Sequence, residues 1–296
     1  MNLKIKLRDS QQRILDYQGG LMGISAVPGS GKTFTLSYLA AKLVLTANLK
    51  LDQEILIVTF SNSAADNFSS RIGNILSGLG FLEGFGYKVR TLHGLANDII
   101  RERPDLAGLS NNFVIVDGVE TDKIIEDIVK QKLEDSPDSF TYLLDQNLPP
   151  SEYKRVLEDD YYLPRQMFDI ARAYISTCKD YLHTVNDMDE LIKKSTNISP
   201  IIHTCQSFYR SYQDALIYRG GVDFDDLIQL ALKTLKSDPD LLEALQDRWP
   251  FILEDEAQDS NLKQEEILSL LTSKHGNWVR VGDPNQAIYE SFTTSN

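Results

Sequence analysis

Residues 26–33 read Ala26-Val27-Pro28-Gly29-Ser30-Gly31-Lys32-Thr33, and what flanks them decides the fold. Before them lies Leu21–Ser25, a short apolar run of the kind buried in parallel sheets. After them, residues 32–45 place Leu36, Leu39, Ala40, Leu43 and Val44 on one helix face. A Gly-rich turn that ends in Gly-Lys-Thr between a strand and a helix is the context a phosphate cradle requires. Gly29 and Gly31 let backbone N–H groups curl around an anion without Cβ clashes, and the helix points its positive end at the same anion. Lys32 is placed to reach the β- and γ-phosphates of a nucleotide and Thr33 to ligate Mg2+. Ala26, Gly29, Ser30 and Gly31 complete the cradle. The common pattern opens with Gly where this chain has Ala26.

Such a loop needs an acidic partner at the end of a neighbouring strand. Phe251-Ile252-Leu253-Glu254-Asp255-Glu256-Ala257-Gln258-Asp259 supplies it. Asp255 is the candidate Mg2+ ligand, through the water shell, and Glu256 the candidate general base for an attacking water. Glu254 is a charge where a strand usually carries an apolar residue, and no role is assigned to it.

Working outward, residues 54–60 form a second buried-strand pattern. A helix pattern follows over 61–75, opening on Ser61 and Asn62, both good N-cap residues. Strand–turn–helix repetition implies a parallel α/β sheet. From about residue 119 to 217 the periodicity is mostly helical, as in Ile124, Ile125, Ile128, Val129 and Leu133, with loops at 147–150 and 197–200. After Asp223 the α/β character returns. Residues 251–255 and 278–282 read as buried strands, with an amphipathic helix between them (Leu262, Ile267, Leu268, Leu271). The expected fold class is α/β, a P-loop domain with a parallel sheet interrupted by a mostly helical inserted subdomain. The expected division is residues 1–95 with 216–296 for the α/β domain and 96–215 for the insertion.

Composition agrees with a globular chain: 42% hydrophobic and 25% charged residues. No apolar run approaches the roughly 18–20 residues that span a bilayer, and residues 1–7 are too short and charged for a secretory signal. Two cysteines form no disulfide framework, and the four histidines have no metal-ligand spacing. The expectation is a cytoplasmic protein without a structural metal. The net charge of −13 argues against nucleic-acid binding when taken alone. However, residues 117–160 hold thirteen acidic and five basic residues, so the imbalance is concentrated away from the motifs.

These blocks resemble the N-terminal half of UvrD/Rep/PcrA-type superfamily 1A DNA helicases. Asp255-Glu256-Ala257-Gln258-Asp259 resembles that family's motif II. Leu7-Arg8-Asp9-Ser10-Gln11 resembles its Q motif, which implies that Gln11 reads the adenine edge of ATP. Val58-Thr59-Phe60-Ser61-Asn62-Ser63-Ala64-Ala65 resembles motif Ia, and Thr91-Leu92-His93-Gly94-Leu95-Ala96 resembles motif Ib. Val281-Gly282-Asp283-Pro284-Asn285-Gln286-Ala287-Ile288-Tyr289 resembles motif III, which implies a γ-phosphate sensor at Gln286. Val222-Asp223-Phe224-Asp225-Asp226-Leu227 matches a further block. The resemblance implies a RecA-like domain with a helical 1B-like insertion. It implies ATP and Mg2+ as cofactors, and 3′-to-5′ translocation on single-stranded DNA and at single-strand/duplex junctions. Phe60 and Tyr289 then stack on bases. Thr59, Asn62, Thr91 and His93 meet phosphates and sugars.

Two departures stand out. Phe34 replaces the Arg that usually follows the P-loop Thr. After Tyr289 the chain reads Glu290-Ser291-Phe292-Thr293, without the family's Arg. The sequence given stops at Asn296, before any second RecA-like domain or its arginine fingers, which contribute about 10³–10⁵ in rate. The expectation is that the missing domain acts in cis or in trans, and that the chain alone binds Mg-ATP, hydrolyses it very slowly and unwinds nothing. Two alternatives stay open: a catalytically incompetent ATP and single-strand binding fragment, and half of a split motor or helicase–nuclease. If the insertion reaches duplex DNA, Tyr161, Tyr162, Arg165, Arg172, Lys179 and Tyr181 are the candidates; amphipathic helix packing is the plainer reading of them.

Overall fold

A computed structural model describes residues 7–27, 29–82, 84–136, 140, 149, 162–181 and 183–283. Along the chain the elements are α1 (Asp9–Leu15), β1 (Leu21–Ser25), α2 (Lys32–Thr46), β2 (Ile55–Thr59), α3 (Asn62–Ser77), β3 (Tyr87–Thr91), α4 (Leu92–Glu102), α5 (Pro104–Ala107), β4 (Val114–Val116) and α6 (Gly118–Asp135). They continue as α7 (Tyr162–Asp180), α8 (Val185–Lys194), α9 (Pro200–Tyr218), β5 (Gly221–Asp223), α10 (Phe224–Ser237), α11 (Pro239–Arg248), β6 (Phe251–Glu254), α12 (Leu262–Thr272) and β7 (Trp278–Gly282). No described helix is long and apolar enough to cross a membrane.

The chain divides into two compact units, residues 1–107 with 230–296 and residues 108–229. The expected division puts the breaks at 95 and 215. The later changeover follows from α4, which starts directly at the end of β3 and packs on β2 and β3.

The first unit holds a five-stranded, all-parallel sheet in the order β1-β7-β6-β2-β3. The inner strands β2 and β7 are buried at every position, as parallel strands covered on both faces must be. β1 differs from its reading as a buried run. It is the sheet edge, pairs only with β7, and leaves Leu21 exposed. Side chains alternate between two faces. Ile55, Ile57, Val89, Leu253, Val279 and Val281 pack against α1, α2 and α3. Leu56, Val58, Ile252 and Glu254 take the alternate positions, the face covered by α4 and α12. Local signals start the helices. Ser61 Oγ accepts from Ala64 N at 3.2 Å, and Thr91 Oγ1 accepts from Gly94 N at 3.1 Å, two N-caps each worth about 1 kcal/mol.

The second unit is built from α6, α7, α8 and α9 around a core that includes Ile125, Val129, Phe168, Phe208 and Tyr212. It also contains β4 and β5, a two-stranded parallel pair absent from the helical reading, in register from Val114↔Gly221 to Val116↔Asp223. Strands of three residues carry too little alternation to be seen in sequence.

Candidate nucleotide and nucleic-acid site

The motifs of the first unit converge at the carboxyl ends of its parallel strands, the edge where open α/β sheets bind ligands. The Gly-rich loop follows β1, Phe60 follows β2, Thr91 ends β3, Asp255 follows β6 and Asp283 follows β7. The loop is anchored by Ala26 N, which donates to Gly282 O of β7 at 3.0 Å. Gly29 and Gly31 sit at φ +73° and +90°, left-handed conformations that side chains resist. Gly31 serves as the N-cap of α2, and a Cβ there would lie 3.1 Å from Gln11 Nε2. Gln11 donates to Thr35 Oγ1 at 3.2 Å, and its Oε1 accepts from Arg8 N at 3.1 Å. The Q-motif side chain is thereby held against the first turn of α2.

Lys32 and Glu256, 224 positions apart in sequence, meet at 2.6 Å between Nζ and Oε2. Glu256 has φ +54°, a left-handed backbone that costs a non-glycine residue about 1–3 kcal/mol and persists only where the surroundings enforce it. Gln258 supplies part of that enforcement. Its Nε2 donates to Glu256 Oε2 at 2.8 Å, and its Oε1 accepts from Asp283 N at 3.0 Å. The motif contains Gln258 by name, but only the folded chain reveals it as a bridge from the acidic turn to the end of β7.

Asp255 N donates to Val58 O at 2.9 Å, which fixes its backbone. Burial, then the charge of Glu256, raises its carboxyl to about 6, with Lys32 opposing. Asp255 Oδ1 is buried and has no hydrogen-bond partner among the described residues, and the same is true of Ser30 Oγ. Buried polar atoms are ordinarily satisfied. An unsatisfied carboxylate oxygen beside a phosphate cradle suits a hydrated divalent cation, and a free loop hydroxyl suits a phosphate. Thr33 is half-buried at the start of α2, with its carbonyl taken by Ser37 Oγ at 2.7 Å. Phe34 packs on Tyr38 at 4.6 Å between ring centroids, and the Arg71 guanidinium lies 6.0 Å over the Phe34 ring. An Arg is thus present beside the position where the sequence lacks one, contributed by α3.

Among the nucleic-acid candidates, Phe60 is 56% exposed and Asn62 is exposed at the start of α3. His93 is half-buried, and burial lowers its pKa. Thr91 Oγ1 accepts from Gly94 N as the cap of α4, which leaves its O–H to donate. Thr59 is 2% exposed, so its side chain faces no solvent. Gln286 and Tyr289 lie outside the described residues, as do Phe292 and Tyr161. In the second unit, Lys179 cannot meet duplex DNA as described, since it is 1% exposed and ion-paired with Asp223 at 2.5 Å and Asp226 at 2.9 Å. Arg172 pairs with Asp122 at 3.0 Å and Arg165 reaches Asp169 at 3.6 Å, while Tyr162 and Tyr181 are exposed.

The profile of the UvrD/REP helicase N-terminal domain matches residues 7–294. The chain is 28% identical over 290 residues to DNA helicase II of Rickettsia typhi, covering 97% of this chain and 38% of that protein. It is 29% identical over 292 residues to the ATP-dependent DNA helicase PcrA of Staphylococcus epidermidis, covering 98% and 35%. The PcrA of Leuconostoc citreum gives 29% over 285 residues, covering 96% and 33%. The chain spans about a third of the length of the curated relatives it matches. With a profile that runs through both units and every block of the site, the chain belongs to the UvrD/REP helicase N-terminal domain family.

Proposed function

We propose that this chain is the ATP-binding half of a 3′-to-5′ DNA helicase, a translocase that couples ATP hydrolysis to movement along single-stranded DNA. The observation that carries this reading is the meeting of Lys32 and Glu256 at 2.6 Å beside an unsatisfied Asp255 oxygen. Phosphate cradle, metal ligand and general base then occupy one place.

In this reading the backbone N–H groups of Gly29 to Thr33 receive the phosphates, and Lys32 exchanges its Glu256 partner for the β- and γ-phosphates. Glu256, released from Lys32, takes a proton from the attacking water. Thr33 and Asp255 would hold Mg2+, which supplies neutralisation of phosphate charge when bound. Gln11 reads adenine and Phe34 packs near the base, with Arg71 behind it. Gln286 senses the γ-phosphate. Phe60 and Tyr289 stack on bases, while Asn62, Thr91 and His93 meet the DNA backbone. Thr59 drops out of direct contact because its side chain is buried. Catalytic arginines come from a second RecA-like domain, so hydrolysis by residues 1–296 alone is slow.

Steady-state ATP hydrolysis with and without a single-stranded oligonucleotide, beside Glu256→Gln, tests this. Turnover near background in every sample, with Mg-ATP still bound, is the expected result. Efficient unwinding of a tailed duplex by the purified 296-residue chain would overturn the division of labour.

A further inference from the structure

Glu254 is the last residue of β6, immediately before the acidic pair, and it is 1% exposed. It stands in register with Arg280 of β7. One carboxylate oxygen, Oε2, accepts from Arg280 Nε at 2.9 Å and from Trp278 Nε1 at 3.1 Å. The other, Oε1, accepts from Ser260 Oγ at 2.9 Å. Arg280 donates onward to Glu265 Oε1 of α12 at 2.7 Å, and its guanidinium stacks over the Trp278 ring at 4.6 Å. One buried carboxylate therefore joins β6, β7 and the residue that closes the acidic turn.

The placement of Ser260 gives the network its meaning. A 3₁₀ turn spans Ala257–Asp259, with Glu256 before it and Ser260 after it. Glu254 and Ser260 are therefore the two ends of the segment that presents Asp255, Glu256 and Gln258, and a hydrogen bond closes those ends. In front, Gln258 ties Glu256 to Asp283. Behind, Arg280 ties Glu254 to β7. A buried ion pair seldom stabilises more than a well-packed apolar pair would, so stability alone does not account for one here. A left-handed Glu256 needs surroundings that over-determine it, and this clamp provides them.

We propose that Glu254, acting through Ser260 and Arg280, is a positioning residue that sets the acidic turn so that Asp255 meets the nucleotide-bound metal. The proposal rests on the nucleotide-site reading above. It has a distinct signature: loosening the clamp weakens the metal-dependent part of nucleotide binding and spares the metal-free part, which belongs to the loop and Lys32.

The test is binding of a fluorescent ATP analogue to the 296-residue chain, titrated with and without Mg2+, with thermal melts alongside. Ser260→Ala frees the turn and leaves the ion pair intact. It is expected to lower the Mg2+ affinity of the nucleotide complex about tenfold, the scale of an outer-shell loss at a metal site, with metal-free affinity and melting little changed. Glu254→Val/Arg280→Val replaces the pair by apolar residues and is expected to fold and to show the same selective loss. If it unfolds, Ser260→Ala decides the question. Wild-type Mg2+ dependence in Ser260→Ala, or in a folded double variant, overturns the proposal and leaves Glu254 a packing residue. A wild-type chain that binds no nucleotide, or a Lys32→Ala variant that binds as well as wild type, overturns the site reading itself and this inference with it.

Discussion

Glu256→Gln should bind nucleotide more tightly than the wild type in the absence of Mg2+. In the ligand-free chain Glu256 holds Lys32 at 2.6 Å, with the two side chains 35% and 10% exposed. Triphosphate oxygens compete for the same ammonium, so the ion pair is a cost of binding. A hydrogen bond between charged groups is worth about 1.5–3 kcal/mol net, and water at Glu256 trims that to about 1–2 kcal/mol. The amide keeps the turn in place, because its oxygen still accepts from Gln258 Nε2, which sits 2.8 Å from Glu256 Oε2. It no longer carries a charge for Lys32. The released energy corresponds to roughly 5- to 30-fold tighter binding. The assay is titration of a fluorescent ATP analogue in EDTA and in Mg2+ at matched ionic strength, since screening would otherwise mask the effect. Unchanged or weaker metal-free affinity in Glu256→Gln would refute the idea that Glu256 withholds Lys32 from the phosphates. Lys32→Ala, which removes the ammonium that Glu256 and the phosphates share, should bind poorly in either buffer.

Asp226→Asn should change how stability depends on pH. Burial, with Asp223 adding to it and Lys179 opposing, raises Asp226 from 3.8 to about 6. A carboxyl raised on folding contributes stability that is fully present below its unfolded pKa and lost as pH rises through the folded value. The wild type therefore loses stability from this group between about pH 4 and pH 6–7, by about 3 kcal/mol at most, and the variant does not. Urea denaturation from pH 4 to 8 should show the variant gaining on the wild type as pH rises, and no pH-dependent gap would refute it. Asp223 runs the other way: burial raises it, but Lys179 and the donors Tyr212 Oη and Asp226 N outweigh burial and hold it low. Phe60→Ala should weaken single-strand binding by about 1–3 kcal/mol per stacked base, with an unchanged salt slope because no charge is lost. A changed slope with equal affinity would count against stacking. Gly31→Ala places a Cβ at φ +90° and 3.1 Å from Gln11 Nε2. It should cost about 1–2 kcal/mol in urea denaturation and abolish nucleotide binding; wild-type affinity would show that the loop does not need its left-handed turn.

The parts of this chain that sequence made legible are those whose physics is local. The phosphate loop declares itself by glycines between an apolar run and an apolar helix face, and Ser61 announces α3 by the cap it goes on to form. The parts that stayed hidden depend on distant partners. Lys179 reads as part of an amphipathic helix, with no ion-pair partner in view, until β5 brings Asp223 to it from 44 residues away. Thr59 reads as a phosphate contact until the folded sheet end buries its side chain.

Glu254 is the instructive case, because the signal was present and took two observations to see. A charge inside a strand that is otherwise apolar breaks the pattern of buried parallel strands. Taken singly it reads as a stray. Arg280 breaks the same pattern in the next strand-like run, with the opposite sign. Burying either charge alone would be strongly destabilising, whereas burying both in contact is tolerable. Two complementary violations in strands of one parallel sheet therefore imply each other as neighbours, and the register of β6 on β7 places them side by side. Departures from a local rule mark functional sites more often than errors do. Here the departure lies one residue from the carboxylate that would hold the metal, so the pair reads as a setting for Asp255 and Glu256 rather than as an accident of the core.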